Sequence, residues 1–427
     1  MSTGINDLIF ERLLTAYRLQ IEKESFNGIK LQELDEGIED DSIRAAICDL
    51  IRDRKVDVIC PQTQLNPHIK RHPPWPVERQ IEKLDIGERY HTCLYPTSET
   101  IRAHFDLAFL NHKPFTKEIA EGNEELKAKF FELGVLDRYR LDPRYAFHFS
   151  EYAGRVSMMS ESEITGQISE RDQTFLQTFG LGIDDNEDAV VCVFLRYLSQ
   201  LSAEHQRFWE TFLSHKPALM HKNYYKPTIL GEVWENNSAI SALRFAITSL
   251  NTICKTVWGE PLFLNEVPAE VHYNLSPFMR STKSDYLSFA HELDKLVSEN
   301  INPTFFEGKL ERFTIIQHVD GTTERKNKGT LALLEEWLFN GDITWQEKEK
   351  ARHEIIEPLR KVRKERQPAA HKVIQNEFDR QFTGFKRELL LETAFALGNI
   401  FFMLAKHSRA PTIRVPKWFE EGRIEDF

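Results

Sequence analysis

Residues 359–371 read Leu-Arg-Lys-Val-Arg-Lys-Glu-Arg-Gln-Pro-Ala-Ala-His, a charged stretch containing one proline, near the end of a 427-residue chain. Because proline has no N–H and pushes the residue before it out of the helical region, Gln367 is predicted to end one helix. Pro368 can occupy the first turn of the next helix, where its missing donor costs nothing. The sequence therefore predicts a helix–helix junction, with Arg366 just before it and His371 just after it.

Two long helices are predicted on either side of this junction, Trp345–Arg366 and Pro368–His407. Three apolar residues of the first helix recur at helical spacing, and Arg366 occupies the next position of that stripe. The three apolar residues are Ile355, Leu359 and Val362. Arg366 is therefore predicted to face inward or into a groove.

Basic residues crowd the same turns of the first helix, although the formal net charge of the chain is −11 at pH 7. Neighbouring cations and the helix dipole favour a neutral His371 in the first turn of the following helix. A neutral imidazole can accept a proton from a ribose 2′-hydroxyl while an arginine holds the phosphate through two hydrogen bonds. The stretch therefore indicates a site for RNA chemistry. The RNA-binding residues predicted beside Arg366 and His371 are Arg360, Arg363, Lys364 and Gln367.

A different role for the two residues remains open. Arg366 and His371 would then only cap helix ends and pair with a nearby carboxylate, Glu365 or Glu377.

Arg366-Gln-Pro-Ala-Ala-His371 resembles the Arg-x4–6-His motif of ribonucleases of the HEPN superfamily, which lies where two long helices meet. The helices predicted over residues 227–427 resemble the helical bundle of that superfamily. Gln367 stands where many members have Asn, Asp or His. The resemblance implies a metal-independent endoribonuclease without a cofactor, in which Arg366 and His371 are the catalytic residues. It also implies that dimerisation completes the site, that cleavage leaves a 2′,3′-cyclic phosphate, and that the protein belongs to toxin–antitoxin or phage-defence systems.

Residues 1–110 predict a winged-helix-like domain together with a proline-rich segment. Helices over Ile5–Glu22 and Ser42–Arg54 precede a strand over Lys55–Cys60 and a polar loop, an order that resembles a winged helix. Such domains often bind DNA through their last helix. Here Asp49 and Asp53 accompany the arginines of that helix, which weakens attraction to phosphates. A winged helix that only packs or binds a protein partner is the alternative.

The proline-rich segment, Asn66–Pro76, contains His68 and His72, whose spacing would suit a pair of metal ligands on a helix. A helix is disfavoured by Pro67, Pro73 and Pro74, and no acidic or thiol ligand is adjacent. We predict no metal site, and an extended segment that Trp75 holds against a neighbouring surface.

Residues 111–226 predict a central α+β domain. Helices are expected over Lys117–Phe131 and Tyr197–Leu213, and strands over Tyr145–Met158 and Asp188–Leu195. Gly180–Asn186 is expected to be a loop.

Residues 227–427 predict a helical bundle into which a β-hairpin, Lys309–Lys326, is inserted. Asp320-Gly321 is the expected turn of the hairpin. The fold class is therefore mainly α, in a multidomain α+β chain. Further helices are predicted over Asn237–Val257, Ser284–Ile301 and Thr330–Phe339.

Composition predicts a cytoplasmic protein. The five cysteines form no Cys-x-x-Cys pair, no apolar run could span a bilayer, and the N-terminus lacks a signal-peptide core. The expected partners are RNA, a second copy and a regulatory protein, with DNA less favoured and no membrane. Three functions remain open. The first is an endoribonuclease effector in which residues 1–226 sense a trigger or regulate the activity. The second is a non-catalytic DNA- or protein-binding regulator or adaptor, and the third is a scaffold with neither activity.

Overall fold

The structure is a computed structural model that describes residues 4–159, 169, 172–232, 237–268, 273–276, 279–318, 322–340, 345, 347–371 and 375–424. The side chains of residues 273 and 367–371 lie outside this description. The chain forms two compact units. The first comprises Met1–His148 and Gly154–Met220, and the second comprises Phe149–Ala153 and His221–Phe427.

The first unit begins with helices and a small antiparallel sheet whose strand order is β1–β3–β2. Apolar residues of α1 and α2 pack with this sheet into one core. The predicted first helix is confirmed. The second begins at Asp40 rather than Ser42, since acidic residues in a first turn are favoured by the helix dipole. The elements are α1 (Ile5–Glu22), β1 (Ile29–Lys30), α2 (Asp40–Arg52), β2 (Val56–Ile59), α3 (Val77–Lys83) and β3 (Cys93–Pro96).

At the end of the proline-rich segment, Trp75 makes two contacts with residues of α3. Its carbonyl oxygen accepts from Gln80 Nε2 at 2.6 Å, and its ring lies 3.6 Å from the Arg79 guanidinium. The same Gln80 side chain accepts from the Val58 N–H at 2.7 Å. This buried amide therefore ties the end of the segment to β2.

A second sheet completes the first unit, with strand order β4–β8–β7–β6–β5 and with β9 paired to β7. The predicted strands around 145–158 and 188–195 are confirmed as β5, β6 and β8. The remaining elements are α4 (Ser98–His104), α5 (Pro114–Ala120), β4 (Ala128–Glu132), α6 (Asp137–Leu141), β5 (Tyr145–Ser150), β6 (Ala153–Met158), β7 (Phe175–Asp184), β8 (Ala189–Phe194), α7 (Leu195–Ser199), α8 (Ala203–Glu210) and β9 (Ala218–Met220).

Three predictions in this region are wrong. The helix expected over Lys117–Phe131 ends at Ala120, because Phe131 is buried in β4 opposite Val191 of β8. The loop expected over 180–186 is mostly β7. The helix expected over 197–213 is interrupted at 200–202, where Ser202 caps α8 with its side chain.

In its described residues the second unit is a helical bundle with one β-hairpin. The helices and hairpin predicted there before residue 345 are confirmed, except that the helix expected over Ser284–Ile301 already ends at Leu296. The turn residues Asp320 and Gly321 lie outside the described residues. The helices α10 to α15 contribute to a single apolar core. The elements are α9 (Lys222–Tyr225), α10 (Ala239–Trp258), α11 (Lys283–Leu296), β10 (Phe313–Gln317), β11 (Thr323–Asn327), α12 (Thr330–Asn340), α13 (Lys348–His371), α14 (Gln381–Leu404) and α15 (Lys417–Glu420).

Helix α13 passes through Pro368 without a break, so the junction predicted at Gln367 is wrong. The next long helix starts at Gln381 rather than at Pro368. Proline has a helical φ, and its cost inside a helix comes mainly from one lost hydrogen bond and a steric clash.

Residues Phe149–Ala153 belong to the second unit, and their contacts there include a hydrogen bond and a ring stack. Ser276 Oγ donates to the Glu151 carbonyl oxygen at 3.0 Å, and the Tyr152 ring stacks on His221 at 5.2 Å. The second unit is therefore built from two separate pieces of chain.

The predicted class, mainly helical with several sheets in a multidomain α+β chain, is confirmed. The boundaries expected at 110 and 226 and the two domain types stay predictions. Within the described residues, no helix is long and apolar enough to cross a membrane.

Candidate functional site

Arg366 continues the buried stripe of α13 and points at the end of α11. Its Nη1 lies 2.5 Å from Asp294 Oδ2 and also forms an ion pair with Glu299. The Asp294 side chain is fully buried, whereas that of Arg366 is 27 % exposed. Arg366 therefore lies at the edge of the bundle, with one end of its guanidinium held by carboxylates.

The two carboxylates use only one nitrogen of the guanidinium. Nε and Nη2 have no hydrogen-bond partner among the residues that the structure describes. The hydrogen bond to Asp294 is the main cause that raises the pKa of Arg366, so the side chain stays charged. Ser298 Oγ also donates to Asp294, which fixes the carboxylate that orients the arginine.

The other predicted basic residues divide into paired and unpaired groups. Arg360 forms ion pairs with Glu335 and Glu357, so its charge is already balanced on the bundle. Arg363 and Lys364 form no ion pair within the described part of the chain. They are the cations near Arg366 that remain available to a phosphate.

The carboxylates proposed as alternative partners of Arg366 are engaged elsewhere. Glu377 lies 3.5 Å from Lys283. Glu365 hydrogen-bonds Tyr286, whose pKa is raised mainly by burial and further by this carboxylate. Under the alternative in which Arg366 only pairs with carboxylates, its partners are therefore Asp294 and Glu299 rather than Glu365 or Glu377. The same alternative for His371 falls on a side chain outside the described residues.

His371 is the last residue of α13 and not, as expected, in the first turn of the following helix, so the helix dipole does not favour a neutral imidazole at this position. The side chains of His371 and Gln367 lie outside the described part of the structure. An α-helix turns about 100° per residue, so five residues separate Arg366 from His371 by about 140° around the axis. Within one copy of α13 the two backbone positions therefore face different sides of the helix.

The predicted DNA-reading helix α2 has few free cations. Arg52 pairs with Asp49 at 2.9 Å, and Arg44 donates to the Leu84 carbonyl oxygen at 2.8 Å. These contacts use the side chains that a DNA backbone would require.

His68, one of the two histidines considered as metal ligands, lies beside a thiol. Its Nδ1 is 3.2 Å from Cys93 Sγ, and burial raises the pKa of Cys93 to about 12. Among the described residues, no group of three or more His, Cys, Asp or Glu side chains is placed to hold a metal.

The sequence did not indicate a buried polar cluster in the first unit. Lys70 and Glu125 line a cavity of about 20 Å³ together with Tyr17 and Tyr95. Burial raises the pKa of Glu125 to about 7 and lowers that of Lys70. The cavity has room for about one water molecule. A lysine in a polar, proline-rich segment gives no sign that it will be buried.

Comparisons with models of protein families, with curated proteins and with solved structures found no match to this chain. The resemblance to the HEPN superfamily therefore rests on the motif around Arg366 and on the helices that carry it.

Proposed function

We propose that the second unit is a metal-independent endoribonuclease in which Arg366 holds the scissile phosphate and His371 is the general base. The observation that supports this proposal most directly is that Asp294 and Glu299 orient the guanidinium through Nη1 alone. Nε and Nη2 form the planar fork that binds two phosphate oxygens at once. A fork that is positioned before substrate arrives loses little entropy when the phosphate binds.

The proposed site is shared between two copies of the chain. Since Arg366 and His371 face different sides of α13, Arg366 of one copy would act with His371 of a second copy. This geometry supports the homodimer in the proposal. Arg363 and Lys364 would hold neighbouring phosphates of the RNA.

In the proposed reaction, the 2′-oxygen attacks the adjacent phosphorus while His371 takes the 2′-proton. The bond from phosphorus to the 5′-oxygen breaks, and that oxygen takes a proton from water. The products are a 2′,3′-cyclic phosphate and a 5′-hydroxyl. The proposed setting is a cytoplasmic toxin or phage-defence system in which the first unit senses a trigger or a regulatory protein.

The test incubates the full chain with 5′-labelled RNA in EDTA and maps the product ends. Wild type is expected to leave 2′,3′-cyclic phosphates, and His371→Ala is expected to slow cleavage by at least about a hundredfold. His353→Ala, at an exposed position of the same helix, is the matched control and should cleave normally. Undiminished cleavage by His371→Ala, or no cleavage by wild type, would refute the proposal.

The second candidate function is a non-catalytic regulator or adaptor, and the β1–β3–β2 order beside α1 and α2 favours it. That order is the one expected for a winged helix. Because the α2 arginines Arg44 and Arg52 are engaged within the protein, a protein partner is favoured over DNA. Footprinting on random duplex DNA tests the DNA version. Protection of one sequence without RNA cleavage would favour a DNA-binding regulator over the ribonuclease.

A further inference from the structure

The β-hairpin of the second unit contributes no residue to the apolar core of the bundle. Every residue of β11 is exposed, and in β10 only Phe313 and Ile316 are partly buried. A two-stranded hairpin with water on both faces gains little from burial and is marginally stable on its own. The side chains of this hairpin are therefore open to contact with another molecule.

The two faces of the hairpin differ in charge. Opposite residues of an antiparallel pair lie on the same face, and residues two positions apart share it. One face has a single arginine and no carboxylate, whereas Glu324, the one carboxylate of the two strands, lies on the other face with Lys326. We call the first the arginine face. Its residues are Phe313, Ile315, Gln317, Thr323, Arg325 and Asn327.

Arg325 forms a flat platform on this face. Its guanidinium carbon lies 3.4 Å from the centre of the Phe313 ring, which is a stacking contact. The ring therefore covers one side of the guanidinium, and the other side faces water because Arg325 is exposed. Within the described residues Arg325 forms no ion pair. A guanidinium plane supported in this way is a surface on which an unpaired base can stack.

The charge of the hairpin favours a nucleic acid as the molecule that stacks there. The segment Arg312–Lys328 contains four basic and two acidic residues, although the whole chain has a formal net charge of −11. A locally basic segment attracts a polyanion. The side-chain amides of Gln317 and Asn327 flank Arg325 and can both donate to and accept from the edges of bases. Bases are open to such contacts in single strands, whereas in an RNA duplex they are stacked and paired.

The base of the hairpin lies beside the candidate site. The Lys328 N–H donates to the Arg312 carbonyl oxygen at 2.9 Å and closes the hairpin. Gly329 follows, and Arg363 Nη1 lies 3.9 Å from where a Cβ on Gly329 would be. Arg325 precedes Gly329 by four residues, which is about 14 Å of extended chain. A strand of RNA that stacks on Arg325 can therefore bring a nearby phosphate to Arg363.

We infer that the arginine face of the hairpin binds single-stranded RNA, with one base stacked on Arg325. The inference names the form of RNA that the proposed ribonuclease would use, and its link to cleavage rests on that proposed function. The stacking site itself follows from the hairpin alone. Arg325 is a binding residue, since it lies too far along the hairpin to touch the reacting atoms at Arg366.

The first test measures binding of a fluorescein-labelled single-stranded RNA of about 20 nucleotides by fluorescence anisotropy. The parent protein is the full chain with His371→Ala, in EDTA, so that the RNA stays intact. Arg325→Ala should raise the Kd by at least about fivefold, the loss expected when one base loses its stacking partner. Lys326→Ala removes an exposed cation at the next position, on the opposite face, and is the matched control. It should change the Kd by less than about twofold at about 0.15 M salt.

Either of two results in this test would overturn the inference. One is an Arg325→Ala variant that binds as tightly as the parent, which would leave the face to a protein partner. The other is an equal loss in Lys326→Ala, which would show that only the number of cations matters.

The second test separates the plane of Arg325 from its charge. Arg325→Lys keeps the charge without the plane and should bind as weakly as Arg325→Ala. Arg325→Tyr restores a flat surface without the charge and should recover binding to within about threefold of the parent. The reverse order, with Lys tight and Tyr weak, would show a phosphate contact and overturn the stacking. Duplex RNA of the same sequence should bind Arg325→Ala and the parent equally. A loss with duplex RNA as large as that with the single strand would overturn the inferred preference.

These outcomes are independent of those for the proposed ribonuclease. RNA binding that requires Arg325, in a protein whose wild type does not cut RNA, supports the arginine face and refutes the activity. Cleavage whose KM is the same in wild type and Arg325→Ala supports the activity and refutes the arginine face.

Discussion

Replacing Arg366 by methionine should destabilise the second unit because it leaves the buried carboxylate of Asp294 without its cation. Loss of one partner of a buried ion pair costs about 3 to 5 kcal/mol. Ser298 still donates to Asp294, and Arg366 is partly exposed, so we expect about 3 kcal/mol. Glu299 also loses its partner, but more than a third of its side chain is exposed to water, so this loss adds little.

A second substitution separates the role of Arg366 in folding from its proposed role in catalysis. Asp294→Asn removes the buried charge, so Arg366→Met with Asp294→Asn should recover stability to within about 1 kcal/mol of wild type. If Arg366 only stabilises the bundle, this double variant should recover RNA cleavage as well. If Arg366 holds the phosphate, the double variant should fold and still fail to cut.

Hydrogen exchange suits this measurement because the chain has two units that need not unfold together. A loss of 3 kcal/mol should speed exchange in α11 and α13 by about two orders of magnitude. Peptides from α1 and α2, in the other unit, provide an internal control. A change below about 1 kcal/mol in Arg366→Met, or no recovery in the double variant, would refute the assigned ion-pair energetics.

Two further predictions concern stability. Burial lowers the pKa of Lys386 from 10.5 to about 8, so between these values the unfolded chain binds more protons than the folded one. The free energy of unfolding should therefore rise by up to about 3 kcal/mol from pH 8 to 10.5. Urea unfolding at several pH values measures this rise, and Lys386→Met should lack it. The same rise in Lys386→Met would show that the lowered pKa of Lys386 is not its cause. A Cβ at Gly154 would overlap the Phe179 ring and lie 2.5 Å from the His148 carbonyl oxygen, whereas one at Gly384 meets nothing within 4 Å. Thermal melting should show that Gly154→Ala lowers the free energy of unfolding by about 2 kcal/mol and that Gly384→Ala raises it by about 1 kcal/mol. Equal changes in stability from the two substitutions would contradict the close approach at Gly154.

Periodicity predicted the helices of the second unit well because each buries a regular apolar stripe in one core. The helix α10 differs by at most two residues at either end from the one expected over Asn237–Val257. Patterns failed where contacts between distant residues decide the structure. Phe131 reads as the end of an amphipathic helix, yet it forms a strand because β8 is available to pair with it.

Glycine and proline were the least reliable signals. The glycines at 180 and 182 suggested a loop, but β7 needs Gly182 because the Leu219 carbonyl oxygen lies 2.5 Å from where its Cβ would be. Pro368 suggested a helix end, but α13 continues to His371. The φ of proline is compatible with a helix, so a proline alone does not fix where a helix ends.

The candidate site was predictable in part. Arg366 follows the apolar stripe of α13, which the sequence shows, and it reaches the end of α11 as an inward-facing residue should. Its partners Asp294 and Glu299 could not be predicted, since they lie about seventy positions earlier and come near only when α11 packs on α13.

The five residues Phe149–Ala153 have a consequence for dissecting the protein. The chain crosses between units at 148/149, 153/154 and 220/221, so no contiguous fragment consists of the whole second unit alone. A fragment starting at His221 would lack the backbone that Ser276 binds and the ring that stacks on His221. We expect a nick at 220/221 to give two pieces that co-purify as a complemented pair. Inactivity of an isolated C-terminal fragment would therefore say little about where the activity of the intact chain resides.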